Sequence, residues 1–318
     1  MLAEMNNQDS LKINKDTAAS STWALFAARW AVATVSVLIV FKAYAYYVSG
    51  SVGLLGTLVD SASDAGISVM MLMAIKYSAK PADADHRYGH GKIEGLAALF
   101  QGAFLGGAAF FLMLESLRRF ADPQPVNHHM LGISVALVAI ILSLVVVAIQ
   151  NHALKKTASL AVASDQSHYK SDIFLNGGVI CGLLLNYYGG PLWIDTAVGL
   201  AISLYIAATA YKVGMEAADM LMDRELPDEV RLEITRIVEA HGGVYGMHDL
   251  RTRRTGPNIH ISFDIEVDPD LSLRAAHEIT RELEGLILEK FPEADIIIHK
   301  DPKGDIHDAR HKVHGIHH

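Results

Sequence analysis

The first two-thirds of the chain consist of six long apolar stretches separated by short polar segments. Each stretch is long enough to cross a bilayer as a helix, which takes about 20 residues. We therefore predict an all-α domain of six transmembrane helices over residues 21–212, preceded by a polar N-terminal tail over residues 1–20. The predicted helices cover approximately residues 23–48, 50–75, 93–115, 131–150, 160–187 and 194–211.

After residue 212 the apolar positions have the spacing of a water-soluble domain. Pro227 lies in the first turn of one amphipathic helix, and Ser272 precedes another. The alternating runs between and after them indicate strands. We predict a small α+β domain with the element order αββαβ over residues 213–302, followed by a flexible His-rich tail over residues 303–318. The predicted elements are a helix over 226–243, strands over 248–255 and 259–267, a helix over 273–291 and a strand over 294–301.

Composition agrees with a membrane protein, since 51% of residues are hydrophobic and only 19% are charged. The net charge of −8 gives no basic surface for nucleic acid, so we expect no nucleic-acid partner. The single cysteine, Cys181, excludes a disulfide framework or a thiolate zinc cluster within one chain. The first twenty residues lack an apolar core, so we predict no cleaved signal peptide.

Basic residues indicate the orientation of the predicted helices. They are concentrated on one side of the membrane, and the positive-inside rule makes that side cytoplasmic. Because six crossings return the chain to its starting side, both termini are predicted to be cytoplasmic. Arg29 and Lys42 lie near the ends of the first stretch, and we expect both to extend to the membrane surface. The cytoplasmic side has Lys12, Lys15, Lys76, Lys80, Arg87, Lys92, Lys155 and Lys156, and the opposite side has Arg118 and Arg119.

Two pairs of polar residues interrupt the apolar stretches, and each pair has a spacing of four. Asp60 and Asp64 lie in the second stretch, and His168 and Asp172 lie in the fifth. This spacing puts both members of a pair on one helix face, and carboxylates inside a bilayer are costly unless they have a partner. Four oxygen and nitrogen ligands from two helices suit the tetrahedral coordination of Zn2+. We predict a cation site formed by these four; the alternative is hydrated residues at helix ends.

A second candidate site lies in the loop after the second stretch. Asp83, His86 and His90 are spaced by three and four residues, and Asp85 is close by. Adjacent glycines allow the backbone to fold around an ion. Solvated polar loop residues are the alternative.

A third candidate is spread through the soluble domain, at His248, Asp264, His277, His299 and Asp301. Convergence of several of these residues at strand edges favours a metal site. Ordinary surface or core histidines are the alternative. The tail histidines could also capture ions.

The motifs Asp60-x-x-x-Asp64, DADHRYGHGK, SDQSHYKSDIFLN, LMDREL, MHDLRTRRTGP and IIIHKDP together resemble the cation diffusion facilitators. The resemblance extends from about Trp23 to Pro302 and is greatest for the bacterial branch of zinc/proton antiporters and ferrous-iron efflux pumps. It implies a homodimer in the bacterial inner membrane, in which metallochaperone-like cytoplasmic domains pair with each other.

The resemblance also implies roles for the candidate ligands. The two intramembrane pairs are the transport site, and the loop triad is a second site. A cytoplasmic binuclear site is implied for His248, His277, His299 and Asp301. Asp264 stands where the best-known family members have histidine, and His260 on the same strand face is the alternative ligand.

Metal binding requires deprotonated ligands, so such a site can exchange a divalent ion for protons. His168 is the expected proton carrier, because its ordinary titration lies near neutral pH. We expect Zn2+ efflux in exchange for protons, with Zn2+ also structural in the cytoplasmic domain. Fe2+, Cd2+ and Mn2+ are alternative ions, because ligand affinity alone does not identify the physiological metal.

Two other classes of protein compete with a transporter. One is an intramembrane metalloenzyme, but no HExxH motif occurs, and four protein ligands leave no position for the water of catalytic zinc. We therefore expect no enzyme activity. The other is a membrane metal sensor, which metal flux through purified protein distinguishes from a transporter.

Overall fold

The computed structural model describes residues 2–49, 52–121, 129–188, 193–256 and 258–304. For residues 2–20, Asp60 and some other helical positions, only the backbone is described. The chain divides into two compact units, Ser20–Ala218 and Asp219–His318, the second grouped with Met1–Ala19. Nearly all of the predicted His-rich tail, residues 305–318, lies outside the described residues.

Long helices build the first unit, and helix-breaking residues account for several of their ends. The first helix contains neither glycine nor proline and ends just before Gly50. The second ends three residues before Pro81, because proline disfavours helical backbone in the preceding residue. The helices are α1 (Leu2–Ser49), α2 (Val52–Ser78), α3 (Lys92–Ala121), α4 (His129–Leu154), α5 (Leu160–Tyr187) and α6 (Trp193–Leu221).

The six predicted apolar stretches correspond to these helices, but several helices extend beyond the predicted bounds, most of all α1 and α6. Polar residues 2–20 continue the backbone of α1, and α6 continues beyond residue 211 to Leu221. Since a helix can extend past the bilayer, apolar length alone could not place these ends.

Four stretches of the described residues are long and apolar enough to span a membrane: Ser21–Tyr44, Lys92–Arg118, Ile133–Leu154 and Ala197–Leu221. Their outer faces carry exposed large apolar side chains, such as Phe111 and Tyr211 at 72% exposure each, as expected for contact with lipid. A transmembrane helical domain is thus confirmed. In α5, acidic and basic residues in successive turns reduce the hydropathy, and much of α2 before Ser61 has no described side chains.

Lys42 of α1 does not extend to the membrane surface, so that prediction is wrong. Its side chain is buried, and its Nζ donates a hydrogen bond to Ser61 Oγ of α2 at 2.6 Å. Arg29, by contrast, is exposed. A basic residue near the end of an apolar stretch can turn inward when a neighbouring helix offers an acceptor, which hydropathy cannot indicate.

The first turn of α5 is anchored to α3 through Glu94, a buried carboxylate. Glu94 Oε2 accepts hydrogen bonds from Ser159 Oγ at 2.6 Å and from the backbone N–H of Ala161 at 3.3 Å. Ser159 Oγ in turn accepts from the N–H of Val162 at 3.3 Å. Because the first amides of a helix lack partners within it, these contacts cap α5.

Close backbone packing joins α3 to α6. A Cβ atom added at Gly102 would lie 3.1 Å from the backbone nitrogen of Gly214 and 3.3 Å from the carbonyl oxygen of Ala210. Small residues permit such an approach between helices in lipid. The glycine-rich pattern of the third apolar stretch therefore reflects a specific helix contact at Gly102.

The second unit has the predicted element order, helix, strand, strand, helix, strand. In its three-stranded sheet, strand β2 (Asn258–Val267) lies in the centre, antiparallel to β1 (Gly246–Thr255) and parallel to β3 (Ala294–Pro302). As predicted, Ser272 caps the second helix, since its Oγ accepts from the N–H of Ala275 at 3.2 Å. The elements are α7 (Asp228–Glu239), β1 (Gly246–Thr255), β2 (Asn258–Val267), α8 (Leu273–Lys290) and β3 (Ala294–Pro302).

Strict alternation along β2 gives the sheet two different faces. Apolar residues of β2, including Ile261, Phe263 and Ile265, pack in one core with Ile234 of α7 and Leu283 of α8. The alternate β2 residues are polar and less buried. The helices thus cover one face of the sheet, and the other face displays polar side chains.

Candidate metal sites

The membrane unit brings together three of the four predicted intramembrane ligands. His168 Nε2 lies 3.3 Å from Asp64 Oδ1 and 3.5 Å from Asp172 Oδ2. The three residues each offer a ligand atom within 4.8 Å of the others. Asp60 lies one helical turn before Asp64 on α2, and its side chain lies outside the described part of the structure.

Secondary structure explains why these residues meet. His168 and Asp172 are one turn apart on α5, so both side chains project on the same side of the helix. Tyr169, beside His168, connects α5 to two other helices. Its Oη donates to the carbonyl oxygen of Ala31 in α1 at 3.3 Å, and this leaves Oη as acceptor for the Ser68 hydroxyl of α2 at 3.2 Å. Ser68 follows Asp64 by one turn, so this link lies next to the ligand group.

The surroundings of His168 suit metal binding more than a structural hydrogen bond. Its side chain is 4% exposed, whereas those of Asp64 and Asp172 are 21% and 29% exposed. Neither ring nitrogen makes a hydrogen bond to the described residues. A buried imidazole with two carboxylate oxygens about it presents the borderline donor set that zinc and its neighbours accept.

One further acid near this group was not predicted. Asp165 lies on α5 three residues before His168 and is 2% exposed. Its Oδ2 accepts a hydrogen bond from Gln150 Nε2 of α4 at 2.7 Å. Asp165 is not part of the ligand group, and its hydrogen bond connects α4 to α5. Its position in a polar run of the sequence does not reveal this contact.

The predicted loop triad also meets in space. Asp83 bridges the two histidines, with Oδ1 at 3.2 Å from His86 Nδ1 and Oδ2 at 3.2 Å from His90 Nε2. His90 is buried against the Tyr77 ring, whereas Asp83 and His86 are exposed. Asp85, the neighbouring acid, is not part of this group.

Local backbone geometry prepares the Asp83 carboxylate for a cation. The N–H groups of His86 and Asp85 both donate to Asp83 Oδ1, at 2.7 and 3.0 Å. The His86 hydrogen bond lowers the pKa of the Asp83 carboxyl below its usual value. Gly89 adopts a positive φ of 79° within the turn that leads to His90, a conformation that favours glycine.

In the second unit, strand register aligns His248, Asp264 and His299 in one row across β1, β2 and β3. His248 Nδ1 lies 3.7 Å from Asp264 Oδ2. Asp301 contacts both histidines, with Oδ2 at 3.4 Å from His248 Nε2 and Oδ1 at 3.1 Å from His299 Nε2. Four of the five predicted cytoplasmic ligands therefore lie on the polar face of the sheet.

The fifth predicted ligand, His277, is placed differently. It is exposed on α8, in the helix layer that covers the opposite face of the sheet. Sequence periodicity identified the helix correctly but could not assign His277 to the same side of the sheet as the strand residues.

The register also distinguishes Asp264 from its alternative, His260. His260 pairs with Arg253 and Asp295 in the strands, and its Nδ1 lies 3.2 Å from Asp295 Oδ2. Four residues along a strand correspond to about 13 Å. His260 therefore belongs to another part of the polar face, and Asp264 is the residue beside His248.

Asp249 is a potential ligand that sequence reasoning missed. Its carboxylate groups with His248 and Asp264 within 4.8 Å. Adjacent residues of a strand normally point to opposite faces, but a bulge interrupts the β1 register between His248 and Arg251, and Asp249 has a positive φ of 52°. Only the irregular backbone reveals this neighbour.

Long apolar helices with carboxylate and imidazole groups between them define an integral membrane protein that handles metal cations. Two family models match the chain. The cation efflux transmembrane domain matches residues 28–222, and the cytoplasmic domain of cation efflux proteins (ZT_dimer) matches residues 226–303. The chain therefore belongs to the cation efflux family, the cation diffusion facilitators, and is a divalent metal cation efflux transporter.

Relatives that match most of the chain support this assignment. The chain is 41% identical over 289 residues to the cation-efflux pump FieF of Yersinia pestis (strain Pestoides F), covering 91% of this chain and 96% of the relative. The same figures describe FieF of Yersinia pseudotuberculosis serotype O:3 (strain YPIII). Among solved structures, a metal-bound C-terminal domain of the CzcD transporter from Thermotoga maritima is 31% identical, covers 25% of this chain and 93% of that chain, and has a TM-score of 0.24.

Proposed function

We propose that the protein exports Zn2+ from the cytoplasm in exchange for protons, through a site formed by Asp60, Asp64, His168 and Asp172. The observation that carries this proposal is the meeting of His168 with Asp64 and Asp172 between two helices of the transmembrane domain. A mixed nitrogen and oxygen donor set favours Zn2+ over Mg2+ or Ca2+, which prefer oxygen alone.

Competition between metal and protons provides the coupling. Two carboxylates and an imidazole bind Zn2+ only when the coordinating atoms carry no proton, so binding releases protons and protonation releases metal. His168 carries one exchanged proton on the ring nitrogen that faces Asp64. With an inward proton gradient, metal loads from the cytoplasm and protons displace it on the other side of the membrane. Protons then occupy the site while it returns to face the cytoplasm.

The remaining groups have supporting roles in this proposal. Asp83, His86 and His90 would hold a Zn2+ ion in the cytoplasmic loop, and His248, Asp264, His299 and Asp301 would hold Zn2+ in a binuclear site of the cytoplasmic domain. His277, exposed on α8, can reach such a site only from a neighbouring copy, which a homodimer would supply.

The proposed location is the bacterial inner membrane, with both termini in the cytoplasm and membrane lipid around residues 21–212. Basic residues in the 76–92 and 155–156 connections support this orientation. Residues 213–302 form the cytoplasmic metal-binding and dimerisation domain. The ZT_dimer family match supports pairing of this domain.

Transport by purified protein in proteoliposomes tests the function. With an imposed proton gradient, wild-type protein should move Zn2+, and Asp64→Ala or Asp172→Ala should abolish transport because each removes a ligand. Glu115→Ala is the matched control, since Glu115 is an acid of α3 that pairs with Arg118 at 4.0 Å. Full Zn2+ flux in both ligand variants, or binding without flux in the wild type, would refute the proposal and favour a metal sensor.

Competition among Zn2+, Cd2+, Fe2+ and Mn2+ in the same vesicles identifies the substrate. Zn2+ and Cd2+ should compete most strongly, because His168 favours borderline metals over harder ones. Transport of Fe2+ or Mn2+ that Zn2+ fails to inhibit would overturn the zinc assignment and leave the efflux function intact.

A further inference from the structure

Lys42 is a buried cation inside the membrane unit that the transport mechanism described so far does not use. It lies within the span Ser21–Tyr44 of α1 and is 8% exposed. Its Nζ donates to the hydroxyl of Ser61, which is 2% exposed, at 2.6 Å. An ionisable group within a membrane helix is costly, and such groups are found mainly where they serve ion or substrate pathways.

The position of Ser61 places this ammonium beside the acidic face of α2. Ser61 immediately follows Asp60 and precedes Asp64 by three residues. Side chains three residues apart on a helix have Cβ atoms about 5–6 Å from each other. A charge held at Ser61 therefore acts at short range on the Asp64 carboxylate, and the burial of Lys42 and Ser61 limits its screening by solvent.

A fixed positive charge has opposite effects on the two states of the site. In the empty site the ammonium attracts the carboxylates, whose negative charges otherwise repel one another. When a divalent cation is bound, the ammonium and the metal repel each other. The attraction between the ammonium and the carboxylates is present with or without metal, so the repulsion is what lowers the affinity, and a weaker site releases its ion more readily.

We propose that the Lys42 ammonium is a resident counter-charge that weakens the binding of divalent cations at the membrane site and so speeds their release. This inference rests on the proposed transport function. It assigns Lys42 as a positioning residue that acts through charge, and Ser61 as the group that holds the charge in place.

Steady-state Zn2+ transport by full-length protein in proteoliposomes tests the inference. Lys42→Met removes the charge and should lower the KM for Zn2+ at least tenfold, equivalent to about 1.4 kcal/mol, with a reduced kcat because release slows. Lys42→Arg keeps the charge and should restore the wild-type KM. Lys212→Met is the matched control, because Lys212 is an exposed lysine of α6 that pairs with Glu216 at 3.9 Å.

A merely structural role for Lys42 predicts a different result, namely a lower kcat with an unchanged or higher KM. That result in Lys42→Met would overturn the inference. Lys42→Gln provides a second uncharged variant that can still donate a hydrogen bond to Ser61. If Lys42→Met does not fold, Lys42→Gln must show the same reduction in KM, and an unchanged KM in Lys42→Gln would also overturn the inference. Asp64→Ala separates the two proposals. If Asp64→Ala transports Zn2+ at the wild-type rate, the proposed transport site itself is rejected. If Asp64→Ala abolishes transport but Lys42→Met and Lys42→Gln keep the wild-type KM, only the role of Lys42 is rejected.

Discussion

Removing the Tyr169 hydroxyl should loosen the contact between α5 and its neighbours at the proposed transport site. In Tyr169→Phe the ring is retained, so packing against Val146 and Val147 of α4 is preserved and no cavity forms. The variant loses two buried hydrogen bonds, one with Ser68 of α2 and one with the carbonyl of Ala31 in α1.

The environment decides the size of the expected effect. Hydrogen bonds in soluble proteins contribute about 0.5–1.5 kcal/mol each, but side-chain hydrogen bonds in membrane helices average about 0.6 kcal/mol. Two such bonds give a loss of about 1.2 kcal/mol in the free energy of unfolding. Ser68 and Ala31 limit the loss further, because a serine hydroxyl can bond to the carbonyl four residues earlier and Ala31 O is already an acceptor within its helix.

Reversible unfolding in mixed micelles, followed by far-ultraviolet circular dichroism, measures this change. Zn2+ transport should show a several-fold higher KM in Tyr169→Phe, because Asp64 and His168 are held together less firmly. Tyr211→Phe is the control, since Tyr211 is 72% exposed and its hydroxyl should contribute nothing. A loss below about 0.3 kcal/mol, within the ordinary error of additivity, or an equal loss in the control, would refute the assignment of Tyr169 as a tie between helices.

Two further predictions concern other parts of the chain. Gly102→Ala should lower the melting temperature, because the new methyl group meets the backbone of α6 at 3.1 Å. Gly107→Ala has no neighbouring atom within 4 Å of the new methyl group and should raise the melting temperature, through a gain in helix propensity of up to about 1 kcal/mol. Shifts of the same sign in both variants would contradict the packing argument. Burial lowers the pKa of His260 from 6.5, and the charge of Arg253 lowers it further. As the pH falls, the unfolded state therefore takes up a proton before the folded state does. The cytoplasmic unit should then lose stability below about pH 6.5. Hydrogen exchange of the β2 amides, corrected for intrinsic rates, should show a smaller loss in His260→Gln than in wild type, and identical pH profiles would contradict this linkage.

Periodicity and residue spacing were sufficient for most of the fold. The alternation over residues 259–267 predicted β2 (Asn258–Val267) to within one residue, because one face of that strand is buried and the other is not. Spacing of four residues also predicted that His168 and Asp172 share a helix face, and the acidic pair on α2 indicated its partner.

The features that sequence did not predict depend on contacts between elements. Lys42 turns inward because α2 offers Ser61, and Asp249 joins His248 because β1 is bulged. His277 lies on a correctly predicted helix, but the side of the sheet that this helix covers follows from the packing of the whole domain. Local sequence patterns specify which residues share one face of a helix or strand. Which other element packs against that face depends on the tertiary structure.

The anchoring of α5 by Glu94 makes the helix a lever with a fixed end. His168 lies nine residues beyond Ser159, which corresponds to about 13 Å along the helix. A tilt of about 10° about that end displaces His168 by about 2 Å, as far as the length of a Zn–N bond. Breaking the proposed metal coordination therefore requires neither sliding of α5 nor loss of its cap, because a small rotation about the Glu94 contact is enough to move His168 by the length of a bond to the metal.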